Sequence, residues 1–342
     1  MSKVLLGVVL CMTTIHASCQ SSSIKDYLQK QYADNVLNGN VLVVKGKEVL
    51  YEQSFGYAHP TTKEKLTSAH RFQVGSIYKE FPGVAIMQLK EQGKLKLSDP
   101  IKGYLPEMPE WAARITIQHL LQYTSGLPRV PWGDFFKNNT PVTEQSILAL
   151  LKKTEALAFA PGSDYLYSNY NPWLLTQIVE KITKQSFEMY VQENLFLPAQ
   201  MDKAFFASQF PYKDEQLVAF SFNEDKQLDR YNIQVPLFLM NLTAKDLYQW
   251  LFHLHHQKLI SKAAVQQLSE RVGAQSPLGV LEWKDAALEV HHHHGSSGNY
   301  EAVIRYYPED DLYIVILTNR KNGNVTELAT EIHALVQAGK GN

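Results

Sequence analysis

The chain reads as a mixed α/β protein of the α+β type: an antiparallel sheet assembled from both chain ends, flanked by helices, with a helical region inserted between. Three observations carry this reading. Apolar, β-branched runs lie near the N-terminus at Asn40 to Val44 and Val49 to Phe55. Matching runs lie near the C-terminus at Glu301 to Tyr307 and Leu312 to Thr318. The stretch between them is dominated by helical spacing, and strands gathered at the ends with helices between point to that architecture.

Taken in order, residues 1–19 read as an export signal, with Lys3 as the positive start, Val4 to Met12 as the apolar core, and a small, polar end. Two readings stay open at its boundary. Ala17-Ser18-Cys19 resembles a bacterial lipoprotein processing site, which would put a lipid anchor on Cys19; His16 stands where that pattern expects an aliphatic residue, so ordinary secretory cleavage is the alternative. Either way the expected location is the bacterial cell envelope, periplasmic or lipid-anchored. Both cysteines, Cys11 and Cys19, fall in this leader, so the expected mature chain has no disulfide and no cysteine nucleophile or ligand.

Residues 20–342 are expected to form one domain, with a helical subdomain over residues 80–205. Ile24 to Tyr32 is a short amphipathic helix, and Lys45-Gly46-Lys47 joins the first two strands as a hairpin. A long helix opens at Ser76 and stops at Gly93, a favoured C-terminal stop. Shorter helices follow around His119, over Thr143 to Lys152, Leu174 to Thr183 and Phe187 to Leu195, after which periodicity weakens. Ala244 to Leu259 is helical again, with His253, His255 and His256 read as a wet face. Val290 to Gly295 is strand-like, Pro308 to Asp311 joins the last two strands, and Val325 to Val336 closes the chain as a helix. Lysine plus arginine (33) balances aspartate plus glutamate (34) without a basic block, which argues against a nucleic-acid partner. No apolar run reaches the ~20 residues that span a bilayer.

Three short motifs carry chemistry. Ser76 and Lys79, three apart at a helix start, put a hydroxyl beside an amine that burial could turn into a base. Tyr167-Ser168-Asn169 places a phenol and an amide together in a loop before a helix, able to relay a proton or hold a polar substrate. His291 to His294 followed by Gly295-Ser296-Ser297-Gly298 looks like a purification tag, but strands and a helix follow it, so it is native. On a strand His291 and His293 share one face and His292 and His294 the other, which disfavours a metal site.

In this order, Ser76-x-x-Lys79, Tyr167-x-Asn169 and His293-x-Gly295 resemble the penicillin-recognising serine hydrolases, most closely the class C β-lactamase group with its related esterases and D-peptidases. Phe72 to Pro128, including Asp99-Pro100 and Thr124-Ser125-Gly126-Leu127, together with Pro161-Gly162 and Ile178 to Met201, carry the resemblance further. It implies a β-lactamase/transpeptidase-like fold and a serine acyl hydrolase. Ser76 would be the acylated nucleophile, Lys79 its base or proton-sharing partner, and Tyr167 the group that assists acylation and then activates the deacylating water. Asn169 would hold Lys79 and the substrate amide or ester. His293, Gly295 and Ser296 would line the substrate site, with the N–H groups of Ser76 and Ser296 as the oxyanion hole. The implied substrate is a small-molecule or peptide acyl compound, and no metal or organic cofactor is implied. A β-lactamase, a D-peptidase acting on cell-wall peptides, and a penicillin-recognising receptor with poor turnover stand as alternatives. Histidine replaces the family's usual lysine at position 293, and Asn171-Pro172 and Asn299 also depart from the pattern, which bears on the substrate more than on the chemistry.

Overall fold

A computed structural model describes residues 22–213, 216–322 and 324–339; the export and lipid-anchor readings at residues 1–19 lie outside them. Its centre is a six-stranded antiparallel sheet in the order Val280–Lys284, Ala287–Ser297, Tyr300–Tyr307, Leu312–Thr318, Gly39–Lys45, Glu48–Phe55. The two chain ends meet where Gly39–Lys45 pairs with Leu312–Thr318, Val41 opposite Ile316 and Val43 opposite Ile314.

Both faces of this sheet are covered, which is why its central strands are continuous apolar runs and not alternating ones. Val41 and Val43 join Ile314 and Ile316 in one core, against the helix at 22–33 and the closing helix Val325–Ala338. Leu42 and Val44, with Val315 and Leu317, enter the larger core on the opposite face, shared with the inserted helices. The fold is the mixed α/β architecture expected. Among the described residues no helix is long and apolar enough to cross a membrane.

The structure differs from the expectation in three places that shape the site. The long helix does not begin at Ser76: Gly75–Lys79 is a 3-10 turn, and the α-helix runs over Glu80–Glu91. A 3-10 turn eclipses positions i and i+3, so Ser76 and Lys79 overlie each other more closely than α-helical spacing provides. An edge strand, Val280–Lys284, was not expected, because its apolar and charged residues follow no sustained period. Finally, His253 is buried and His255 partly so, leaving only His256 of the supposed wet face exposed. The helix Ala244–His255 packs against the sheet, and Trp250 stacks on Phe81 with ring centroids 4.1 Å apart.

Candidate active site

Glycine brings two backbones together at the site. Gly75 has φ +51°, and a Cβ there would stand 2.2 Å from the Ser296 nitrogen. A Cβ on Gly295 would stand 2.0 Å from the Val74 oxygen and 2.9 Å from the Ser76 nitrogen. Both positions exclude any other residue, one by conformation and both by contact. The reward is that the strand Ala287–Ser297 lies directly against the turn carrying Ser76, placing the backbone at Ser76 beside that at Ser296.

Ser76 Oγ receives two hydrogen bonds, from Lys79 Nζ at 3.0 Å and from the Tyr167 hydroxyl at 2.8 Å. Lys79 is buried and sits over the rings of Tyr78 (4.3 Å) and Tyr167 (4.8 Å). Burial lowers its pKa well below the usual lysine range, because a charged ammonium there loses its hydration. An amine in that state is a competent base for a serine 3.0 Å away. Tyr167 moves the opposite way: burial pushes the phenol up to about 12, opposed by its hydrogen bonds to Ser76 and Gln275. It stands at neutral pH as a proton donor. The loop bearing it is pinned below by Ser168, which donates to the Pro128 oxygen at 2.5 Å, and by Asn171, whose Oδ1 accepts from Ser125 at 2.6 Å. The departure at Asn171 is therefore a buried brace from the first turn of the helix Tyr170–Thr183 to the loop at Ser125.

Asn169 begins the helix Tyr170–Thr183 and lines the same cavity, but it does not hold Lys79 as expected. Its Oδ1 accepts from the Tyr78 hydroxyl at 3.2 Å. The 3-10 turn aims Lys79 at Ser76 and carries Tyr78 across to the amide.

His293 also departs from expectation. Its side chain does not line the cavity; it is buried, with Nδ1 2.7 Å from Glu80 Oε1. Strand alternation turns His291, His293 and Gly295 toward the helix Glu80–Glu91, and the imidazole passes beneath the site to the carboxylate. The expectation that His293 contacts substrate is corrected accordingly. Gly295 acts through the space it leaves, and Ser296, with Ser297 and Gly298, forms a cavity wall. Among the described residues no group of three or more histidines, cysteines, aspartates or glutamates could hold a metal ion.

The cavity over Ser76 holds about 330 Å³ and is predominantly apolar. Trp132, Phe136, Tyr231, Ile233 and Phe238 form its far wall. Trp132 stacks on Phe136 at 5.9 Å and meets Phe238 edge-on at 5.2 Å, so these rings support one another around the space they enclose. Phe135, in the same short helix, is buried in the core instead. Sequence reasoning missed Tyr231, Ile233 and Phe238, which lie where periodicity fails. It also missed Glu80 and Lys321, whose Nζ donates to Ser296 Oγ at 2.9 Å from the exposed edge of the site.

Comparisons with known proteins agree with this fold. The family model for Beta-lactamase matches residues 24–338. A penicillin-binding protein of Bacillus subtilis (strain 168) is 35% identical over 170 residues, which is 48% of this chain but only 37% of that protein. Among solved structures, a penicillin-binding protein from Bacillus halodurans superposes with a TM-score of 0.77 at 24% identity, covering 91% of this chain and 98% of that one. A class C β-lactamase superposes with a TM-score of 0.75 at 19% identity, covering 93% and 96%. At those identities the two structures speak for the fold alone.

Proposed function

Because the chain belongs to the Beta-lactamase family, we propose that it is an exported serine acyl hydrolase, cleaving an ester or amide through an acyl-enzyme on Ser76. The observation that carries this reading is the Ser76 oxygen between two groups of opposite proton affinity, a lysine held toward its neutral form and a tyrosine held as a phenol. Lys79 takes the serine proton as Oγ attacks the acyl carbon. The backbone N–H groups of Ser76 and Ser296 receive the developing oxyanion, with no rearrangement required at the moment of reaction. Tyr167 passes a proton to the leaving group as its bond to the acyl carbon breaks. A water molecule then attacks the ester of Ser76 with Lys79 and Tyr167 again moving the proton, releasing the acid and restoring the serine.

The aromatic wall favours a substrate with an apolar acyl or leaving portion. Export rests on residues 1–19, and a lipid on Cys19 would hold the domain at the envelope. The naming of a relative as a penicillin-binding protein supports a second reading, a receptor that is acylated but turns over slowly.

One experiment separates these readings. Purified protein is treated with a serine-reactive fluorophosphonate and with a panel of esters, D-amino-acid peptides and β-lactams, and intact mass is followed over time. Wild type should label at Ser76 and Ser76→Ala should not. Persistent labelling of the alanine variant would remove Ser76 as nucleophile. A transient acyl adduct with product release marks the hydrolase, and a lasting one marks the receptor.

A further inference from the structure

The segment that carries Tyr231 into the cavity is tied to the tip of the sheet by one carboxylate. Residues 221–229 fold back on themselves: Phe222 bridges Leu228, and the Asp229 amide donates to the Ser221 oxygen at 3.1 Å. Asp229 then reaches the turn between the strands Ala287–Ser297 and Tyr300–Tyr307. Its Oδ2 accepts from the Asn299 amide and from the Ser221 hydroxyl, both at 2.7 Å, and its Oδ1 accepts from Asn299 Nδ2 at 2.6 Å. A carboxylate gripping two donors of one residue is among the stronger and more directional hydrogen-bonding arrangements. Neither Asp229 nor Asn299 lines the cavity, and the reaction above uses neither.

Gly298 marks what this clamp holds in place. Its φ is +54°, and a Cβ there would stand 2.4 Å from Asp229 Oδ2 and 2.5 Å from Tyr231 Cε1. The carboxylate and the tyrosine ring therefore close together on one bare stretch of backbone, which is itself part of the cavity wall. Behind the cavity Tyr231 stacks on Phe210 with ring centroids 4.4 Å apart, and Ile233 exchanges backbone hydrogen bonds with Phe210 at 2.7 and 3.0 Å. Those contacts fasten the chain after Tyr231 to the segment at Phe210. Ahead of Tyr231, Asp229 fastens it to the sheet tip. The clamp thus governs the width between the aromatic wall and the strand bearing Ser296. It also gives a physical reason for Asn299, where the pattern this chain resembles has glycine: the side chain supplies the second donor to Asp229.

We propose that the Asp229–Asn299 clamp determines specificity, holding Tyr231 over Gly298 so that the site accepts esters or amides with a compact apolar group and excludes those with a fused-ring one. The role is a positioning one, and it deepens the acyl-enzyme reading above, on which it rests. Tyr231 is the side chain that meets the substrate, and Asp229 acts only through where it puts that ring. A wall fixed by hydrogen bonds at one end and ring stacking at the other cannot swing outward to admit a wider group without breaking one of the two.

Two fluorophosphonates that differ only in carrying an ethyl or a naphthylmethyl group test this without knowledge of the substrate. Labelling at Ser76 is followed by intact mass. Wild type should react faster with the ethyl probe. Asp229→Ala should raise the naphthylmethyl-to-ethyl rate ratio by about tenfold or more, the least that an apolar pocket distinguishes per methylene, with little change in the ethyl rate. Asn299→Gly keeps the backbone donor and loses one bond, so it should shift the ratio the same way by less. Combining the two substitutions should add little to Asp229→Ala, because both break the same contact. A ratio unchanged in the variants, or an equal fall in both rates, would overturn the proposal. Asn299→Gly is the milder change and carries the test if Asp229→Ala does not fold. Crystal structures of wild type and variant give a second readout: Tyr231 should leave Gly298 when the clamp is cut, and a ring that stays in place refutes the clamp. If neither probe labelled wild type, the acyl-enzyme reading would fail, and the position of Tyr231 would still decide the clamp.

Discussion

The Tyr78 hydroxyl donates to Asn169 Oδ1 at 3.2 Å, joining the turn that carries Ser76 to the helix that begins after Tyr167. Both residues line the cavity. With Oδ1 taken by the phenol, the amide group of Asn169 turns its other end away from Tyr78. Tyr78→Phe should therefore loosen the amide without touching the nucleophile. The expected outcome is a rise in KM of roughly 2–10-fold with a smaller change in kcat, the scale of one hydrogen bond. Steady-state kinetics on any turned-over ester checks it. A fall confined to kcat would place Tyr78 in the proton transfers instead.

Tyr167→Phe tests the proton donor. The ring remains to pack against Tyr123, whose centroid lies 5.0 Å away, while the bond to Ser76 Oγ is lost. Turnover should drop roughly 10²–10⁴-fold, the usual worth of acid–base assistance. Thermal unfolding should show the fold retained. Near-normal turnover would assign Tyr167 to packing.

What could be read from sequence divides by distance along the chain. Ser76 and Lys79 are three apart, and Tyr167 and Asn169 two apart, so spacing joined each pair, but each pair was weak alone and only the order of the three motifs, with the family resemblance it carries, brought them forward. The strands at the chain ends were visible because sheet burial on two faces demands unbroken apolar runs such as Leu312 to Thr318. Contacts made by tertiary folding left no such trace. Glu80 looks like an ordinary helix-start acid until the strand 213 positions later delivers His293 to it. The Tyr78–Asn169 bond spans 91 positions. Tyr231 and Phe238 lie in a stretch of loops and two- to four-residue elements, where no period marks which side chain faces the cavity.

Glu144 offers a stability test away from the site. Burial, opposed by the hydrogen bond from Trp173 and reinforced by Glu180 and Glu188, raises its pKa from 4.5 to about 7. Between those values the native state holds a proton that the unfolded chain has released, so stability falls as pH rises through that window. Glu144→Gln keeps the amide-sized side chain and removes the ionisation. The variant should gain Tm relative to wild type at pH 8 but not at pH 5, by a few degrees if the charge costs about 1 kcal/mol, since that is worth about 2–4 °C in a domain of this size. Equal differences in Tm at both pH values would show that Glu144 ionises freely in the native protein.

The last prediction concerns which substrates the site prefers. With His293 turned to Glu80, the strand offers no charged third-motif side chain to the carboxylate of a β-lactam or peptide. One cation at the strand Ala287–Ser297 is Lys321, whose ammonium reaches Ser296 Oγ at 2.9 Å from an exposed position. An exposed charge is screened by water and salt, so it attracts an anionic substrate only weakly. The aromatic wall, in contrast, is held in place by its own ring contacts and should dominate binding. Neutral esters with apolar acyl groups are therefore expected to be hydrolysed better than penicillins or cephalosporins at pH 7. Lys321→Met should raise KM for an anionic ester by roughly 2–5-fold, within the range of an exposed ion pair, and leave a neutral ester of the same acyl group nearly unchanged. The Lys321 effect should shrink at high salt. A chromogenic cephalosporin cleaved with kcat/KM above roughly 10⁶ M⁻¹s⁻¹, well inside the range of efficient enzymes, would sink the ester preference. Equal losses on anionic and neutral esters would show that Lys321 supports Ser296 and the oxyanion strand instead of selecting charge.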